Sequence, residues 1–196
     1  MINNYIAYLE FITEKLNNFF EQQKEYIFCK KGCSKCCENA IFPYSQMEIT
    51  FLLAGTLKLD IETQMTIDRN IKNVLEQKKE FKGEKFYYTC PFLINHCCSV
   101  YEHRGIICRA FGLMTIGKDE ELNAPFCHEL GLNYSNVIED GGKKVSTEKF
   151  KKLGLKQEPL AHNVRYSFLT GEHFEQKFGF NFGEKKPLID WFETNT

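Results

Sequence analysis

Nine cysteines fall between positions 29 and 127, and their spacing is the first sign of chemistry. The first group reads Cys29-Lys30-Lys31-Gly32-Cys33-Ser34-Lys35-Cys36-Cys37 and sets four sulfurs on one short stretch. A Cys-x-x-Cys pair is the recurring spacing of zinc and iron–sulfur sites, because two intervening residues let both thiolates turn toward one ion. Gly32 supplies the backbone freedom for such a turn. The adjacent Cys36 and Cys37 are more particular. Successive side chains usually point apart, so this pair is expected either to serve two metals or to turn one sulfur into the core. The second group is Cys90-Pro91-Phe92-Leu93, then Cys97-Cys98, then Cys108-Arg109, with Cys127 at a distance. Proline directly after a cysteine also occurs in bacterial ferredoxin-type runs, which inclines the choice toward iron–sulfur. A lone buried cysteine is by default a small apolar core residue. Nine of them with two doublets, in a chain whose thiols are kept reduced, point to metal.

Charge around the sulfurs fits the same idea. A tetrathiolate zinc, like an oxidised four-iron cluster, carries net negative charge and needs donors and cations when buried. Arg104 and Arg109 flank Cys108 and suit that role, since guanidinium is weakly hydrated and forked. Tyr101 could donate its hydroxyl to a thiolate. Lys30, Lys31 and Lys35 read as solvated surface. Among histidines, His128 beside Cys127 is the best non-cysteine candidate. His96 and His103 fall off the spacing, and His162 and His173 read as ordinary surface or core residues.

The joint pattern is Cys29-x3-Cys33-x2-Cys36-Cys37, Cys90-Pro-x-Leu, then Cys98-x-x-Tyr101-x-x-Arg104-x3-Cys108-Arg109. It resembles the cysteine-cluster family named for its CxxCxxCC motif, the YkgJ-like family, to which zinc or iron chelation is ascribed. The match spans about residues 29–127, roughly half the chain. It implies Cys29, Cys33, Cys36, Cys37, Cys90, Cys98, Cys108 and Cys127 as metal ligands, with Arg104, Arg109 and Tyr101 around them. The spacing to Tyr101 assigns Cys98 and leaves Cys97 unmatched. Where the family usually carries proline after the arginine, this chain has Gly105. The family is also similar to flagellin lysine methylases, which carry a related motif and an iron–sulfur cluster. That similarity implies an alternative: a lysine methyltransferase acting on a partner protein. The cofactor expected is therefore a 4Fe-4S cluster or zinc, and whether the protein is an enzyme stays open.

Bulk properties bound these readings. The 196 residues favour one domain, with 29–127 as metal-binding core and 128–196 as a C-terminal helical extension. A chain this long buries roughly 70% of its unfolded surface, so metal is not needed merely to make a core. Apolar residues make up 43% and the formal net charge is -1, an ordinary globular balance without a basic footprint for nucleic acid. The start of the chain lacks the basic, apolar and small-residue succession of a signal peptide. The longest apolar run, near Ile49 to Ala54, is far short of the ~20 residues a bilayer requires. A cytoplasmic protein with metal ions as partners, and neither nucleic acid nor membrane, is the expectation.

The elements that would position the sulfurs are mainly helical. Ile2, Ile6, Leu9, Ile12, Leu16 and Phe19 make an amphipathic stripe over about 3–27. The stretch from Cys29 to Cys37 reads as a loop. Ser45 and Glu48 form a capping box for a helix over about 45–54, with Gly55 as its stop. Asp60 can cap another, with Ile61, Met65, Ile71 and Leu75 along one side and an end near Phe81-Lys82-Gly83. Residues 86–89 suit a short strand. Helical turns are expected within 99–108, a turn at Glu139-Asp140-Gly141-Gly142, and helices over about 159–170 and 187–193 behind Pro159 and Pro187. Phe174, Lys177, Phe178, Phe180 and Phe182 read as cover for the core. The fold class expected is mainly α, with helices around an irregular, loop-rich cysteine core and little or no β-sheet. Phosphate-loop, dinucleotide and nucleophile-elbow motifs do not occur in the sequence.

Overall fold

Tyrosines, rather than the leading isoleucines, form the inner edge of the first helix, α1 (Ile2–Gln22), in a computed structural model that describes residues 1–193 except Lys31 and Lys118. Tyr5, Tyr8, Leu9, Ile12 and Leu16 are buried, while Ile2 and Ile6 lie at the surface. Aromatic partners decide this rotation: Tyr5 packs edge-on against Phe51, Phe180 and Phe182, with ring centroids 5.6, 5.5 and 6.3 Å away. A 3-10 turn, Lys24–Tyr26, follows. The cysteine stretch expected as loop contains a helical turn, α2 (Lys35–Glu38).

Strand β1 (Pro43–Ser45) leads into α3 (Gln46–Thr56). The Ser45–Glu48 capping box is present in full, because Ser45 and Glu48 each close onto the other's backbone N–H. The helix runs on through Gly55. A side chain there would collide with the His103 ring, so this glycine serves a close approach and does not stop the helix. Asp60 caps α4 (Ile61–Glu80) through the Thr63 N–H. Its buried stripe is Ile67, Ile71 and Val74; Ile61 and Met65, expected on the inner side, are 73% and 60% exposed. The spacing of the expected residues was helical, but burial begins one turn later, where α4 meets packing partners.

Short strands β2 (Leu93–Ile94) and β3 (Cys97–Cys98) form a hairpin, followed by a 3-10 turn at Tyr101–His103 and α5 (Ile106–Ala110). Residues 86–89 form no strand; Tyr88 makes a single bridge to Ala40. Beyond α5 come β4 (Thr115–Ile116), β5 (Leu122–Asn123), α6 (Thr147–Leu153), α7 (Tyr166–Leu169), α8 (Glu172–Phe178), β6 (Lys185–Pro187) and a 3-10 turn at Leu188–Phe192. The expected helix over 159–170 is confined to α7. The His162 backbone is instead committed to pairing, accepting from Ile116 and donating to Met114. Gly141 and Gly142 both take positive φ in the expected turn. The chain is mainly helical with little β-structure. Among the described residues, no helix is long and apolar enough to cross a membrane.

The chain divides into two units, each discontinuous in sequence. Unit 1 comprises Met1–Tyr5, Gly32–Cys108 and Gly179–Thr196. The antiparallel pair β1–β6 runs through it, with Tyr44 opposite Lys186, and Lys78 of α4 binds both Asp190 and Glu193 at 2.7 Å. Unit 2 comprises Ile6–Lys31 and Arg109–Phe178. Its core gathers Tyr26, Met114, Tyr134, Val137 and Ile138. A second aromatic group there sets Tyr8 against Phe174 and Phe178, with the Tyr8 hydroxyl donating to the Leu169 carbonyl.

Candidate metal centre

Five cysteines come together in unit 1: Cys36, Cys37, Cys90, Cys98 and Cys108. Local geometry explains each placement. Ser34 precedes α2, its hydroxyl donating to Glu38, and α2 then presents Cys36 and Cys37 in succession. Consecutive positions on a helix are ~100° apart around the axis, not opposite as on a strand. Their sulfurs therefore stand 3.9 Å apart, closer than the usual divergence of successive side chains. Two sulfurs on one zinc at 2.3 Å bonds would be separated by ~3.8 Å, the edge of a tetrahedron.

Cys90 is drawn in by its N–H, which donates to the Cys37 carbonyl at 2.7 Å. Leu93 N–H closes the Cys90-Pro91-Phe92-Leu93 turn onto the Cys90 carbonyl, and Asn70 of α4 ties the Pro91 carbonyl down at 3.0 Å. The turn between β2 and β3 uses Asn95 and His96, both at positive φ, as tight hairpins require. The register sets Cys98 opposite Leu93, so Cys98 turns inward while Cys97 is exposed.

Cys108 is held through Glu48, a fully buried carboxylate. One of its oxygens accepts from the Ile106 N–H at 2.8 Å, the other from the Ser45 N–H and hydroxyl. Gly105 sits against this arrangement with no room for a side chain: an added Cβ would lie 2.6 Å from the Tyr44 ring. Its N–H donates to the Tyr44 hydroxyl oxygen at 3.0 Å. Proline at this position could offer no such bond. The turn is thus held by Tyr44 and Glu48, not by a rigid ring.

The five sulfurs influence one another electrostatically. Burial, and then the charges of neighbouring thiols, push Cys90 up and carry Cys108 to about 12. Cys37 is raised chiefly by its hydrogen bond with Cys36, then by burial. Cys98 is raised mainly by burial, with the Val100 N–H and Arg104 opposing. Glu48 adds a further negative charge beside Cys108. Each of three sulfurs nevertheless has a hydrogen-bond donor: Phe92 N–H for Cys90, Val100 N–H for Cys98, and Tyr44 for Cys108 at 3.4 Å.

The remaining candidates have other surroundings within their own units. Cys29 and Cys127 belong to unit 2, where the Cys29 N–H donates to Asn133 and Cys127 is buried near Tyr134. Cys33 is exposed. Tyr101 is 58% exposed and lies under the Arg104 guanidinium, 3.5 Å from its ring centroid. Arg109 reaches Thr13 within unit 2. His96 hydrogen-bonds Ser34, His103 packs at a tilt against Phe51, and His128 donates through Nδ1 to the Pro125 carbonyl while its Nε2 is buried without a partner. Tyr44 and Glu48 were not singled out as site residues. Glu48 was visible as a cap, but its second role depends on a segment nearly sixty residues away.

All nine cysteines are free thiols. Among the described residues, no three Cys, His, Asp or Glu side chains close into a ligand shell. The donor set nonetheless fits a soft cation: five sulfurs in one unit, one pair at ligand spacing, amide and hydroxyl donors, and the Glu48 carboxylate beside Cys108. A family model described as "CxxCxxCC: Putative zinc- or iron-chelating domain" matches residues 28–128, just over half of the chain and all nine cysteines. The chain belongs to this family. No curated protein and no solved structure matches it. The chemistry described for the CxxCxxCC family, zinc or iron chelation, agrees with the five soft donors gathered in unit 1.

Proposed function

We propose that unit 1 binds a single zinc or iron ion through thiolates drawn from Cys36, Cys37, Cys90, Cys98 and Cys108. The observation that carries this is the Cys36–Cys37 sulfur separation of 3.9 Å, the spacing of two ligands on one tetrahedral ion. In a four-iron cluster each thiolate would hold a different iron, and adjacent residues would have to spread further. The thiols' raised proton affinities mean that an entering cation displaces protons, and its charge offsets the mutual repulsion that keeps them neutral. Phe92 N–H, Val100 N–H and Tyr44 would orient the sulfurs, and Arg104 would offset charge at Cys98. Bound zinc would supply a permanent crosslink, and bound iron a one-electron couple. Nine free thiols are compatible with a reducing compartment such as the cytosol.

The second reading is a 4Fe-4S cluster on the same cysteines, favoured by the Cys90-Pro91 step. Elemental analysis of protein purified without oxygen separates the two. One equivalent of metal without inorganic sulfide is expected. A brown protein with iron and sulfide in equal amount would replace the single ion by the cluster, and metal-free protein would end the proposal.

A further inference from the structure

We infer that Tyr44 is a positioning residue for the metal centre, a hydroxyl whose proton is directed onto the Cys108 sulfur by the Gly105 N–H. The inference rests on the metal-binding reading above and adds a residue outside the cysteine pattern. Gly105 N–H donates to the Tyr44 oxygen at 3.0 Å, which fixes that oxygen as acceptor on one side. The hydroxyl hydrogen then points toward its other neighbour, Cys108 Sγ, at 3.4 Å.

Position in the fold supports the assignment. Tyr44 lies in β1 opposite Lys186, its carbonyl accepts from the Trp191 indole at 3.0 Å, and its ring packs against Gly105. The strand pair fixes the Tyr44 backbone, and burial of the ring against Gly105 confines it beside the sulfur. Cys90 and Cys98 each receive an N–H from the residue two positions on. Cys108 lies inside α5 and meets a side-chain hydroxyl 64 residues earlier in the chain. Gly105 is what makes this relay available, since a proline there would remove the donor that orients Tyr44.

A hydrogen bond to a metal-bound thiolate lowers the energy of the sulfur lone pairs and so raises the energy of sulfur-to-metal charge transfer. The test is cobalt(II)-loaded full-length protein read by absorption. Tyr44→Phe is expected to shift the sulfur-to-cobalt band to lower energy and to weaken cobalt binding by roughly 10-fold, the usual effect of losing an outer partner. Replacing Tyr44 by 3-fluorotyrosine, a stronger donor of the same shape, is expected to shift the band the other way. Tyr88→Phe is the control: this phenol is also buried beside the thiols but bonds no sulfur. Wild-type protein without any charge-transfer band would overturn the metal-centre reading itself. A normal wild-type band that neither Tyr44 change moves, or that Tyr88→Phe moves equally, would overturn the relay alone.

Discussion

Two buried polar side chains clasp distant backbone, one in each unit, and the contrast between them separates a site from a scaffold. In unit 2, Asn133 accepts from Phe28 and Cys29 N–H at 2.8 and 3.0 Å and donates to the Gly112 carbonyl at 2.9 Å. It is neutral, and it is placed beside an aromatic and aliphatic core that needs nothing further. In unit 1, Glu48 does the same work on Ser45 and Ile106, but as a carboxylate beside Cys108. A neutral acceptor there would hold the backbone with less repulsion. Negative charge stationed next to thiols that already raise one another makes sense for a site completed by a cation.

The comparison breaks first at the cysteines. Cys90→Ser and Cys108→Ser are expected to cut retained metal to about a tenth or less, because an open shell binds a soft cation poorly. Cys29→Ser, in unit 2, is expected to leave metal content unchanged, as elemental analysis of the three variants would reveal. Equal loss in all three would merge the two units into one centre.

Metal removal sharpens the same contrast. Chelation is expected to raise amide hydrogen exchange across residues 33–38, 90–98 and 105–108, whose ordering would be coupled to the ion. The Tyr26–Tyr134 neighbourhood, stacked with centroids 6.0 Å apart, is expected to keep its protection. Exchange mapped by mass spectrometry before and after chelation measures both at once.

Next in size are the clasps themselves. Glu48→Ala strands the Ile106 and Ser45 N–H groups in a buried setting and is expected to cost about 3 kcal/mol. Asn133→Ala exposes a similar set of bonds in unit 2 and is expected to cost about 2 kcal/mol. Urea titration gives both values. The sharper readout is metal: Glu48→Ala should also release it, whereas Asn133→Ala should not.

What the sequence made legible was local. The Ser45–Glu48 box and the Asp60 cap were readable because cap and helix start lie within one turn. Cys98 could be told from Cys97 only by its spacing to Tyr101 in the family pattern; the hairpin that sets Cys98 opposite Leu93 is not signalled in the sequence. Ile61 and Met65 were misplaced because helical spacing names a face but not where along the helix that face is covered. The segment behind Pro159 has a good helix start, yet the His162 backbone is drawn into pairing with β4. The helices α6 and α8 passed unnoticed, being only seven residues each. Tyr44 was out of reach for a deeper reason. Its contact with Cys108 exists only once Gly105 has returned to β1, and no pattern within either segment encodes that meeting.

The smallest effect tests unit 2 alone. His162 stacks on Phe19 with ring centroids 3.8 Å apart and an 11° tilt, and its Nε2 is buried without a partner. Burial holds its proton affinity below the ordinary value of 6.5. The folded state therefore takes up the proton less readily than the unfolded chain, which binds more protons as pH falls. The stability this group contributes is complete above about pH 6.5 and is lost as pH falls through the lower folded value. His162→Phe keeps a stacking ring but cannot charge, so the decline in melting temperature between pH 7 and pH 5 is expected to be shallower in the variant. Unit 1 gives a signal of different origin over the same range, because protons there compete with metal for the thiolates. Metal-free protein isolates the histidine. If wild type and His162→Phe decline in parallel without metal, burial of this ring does not shape the acid limb, and the acid sensitivity belongs to the thiolate site.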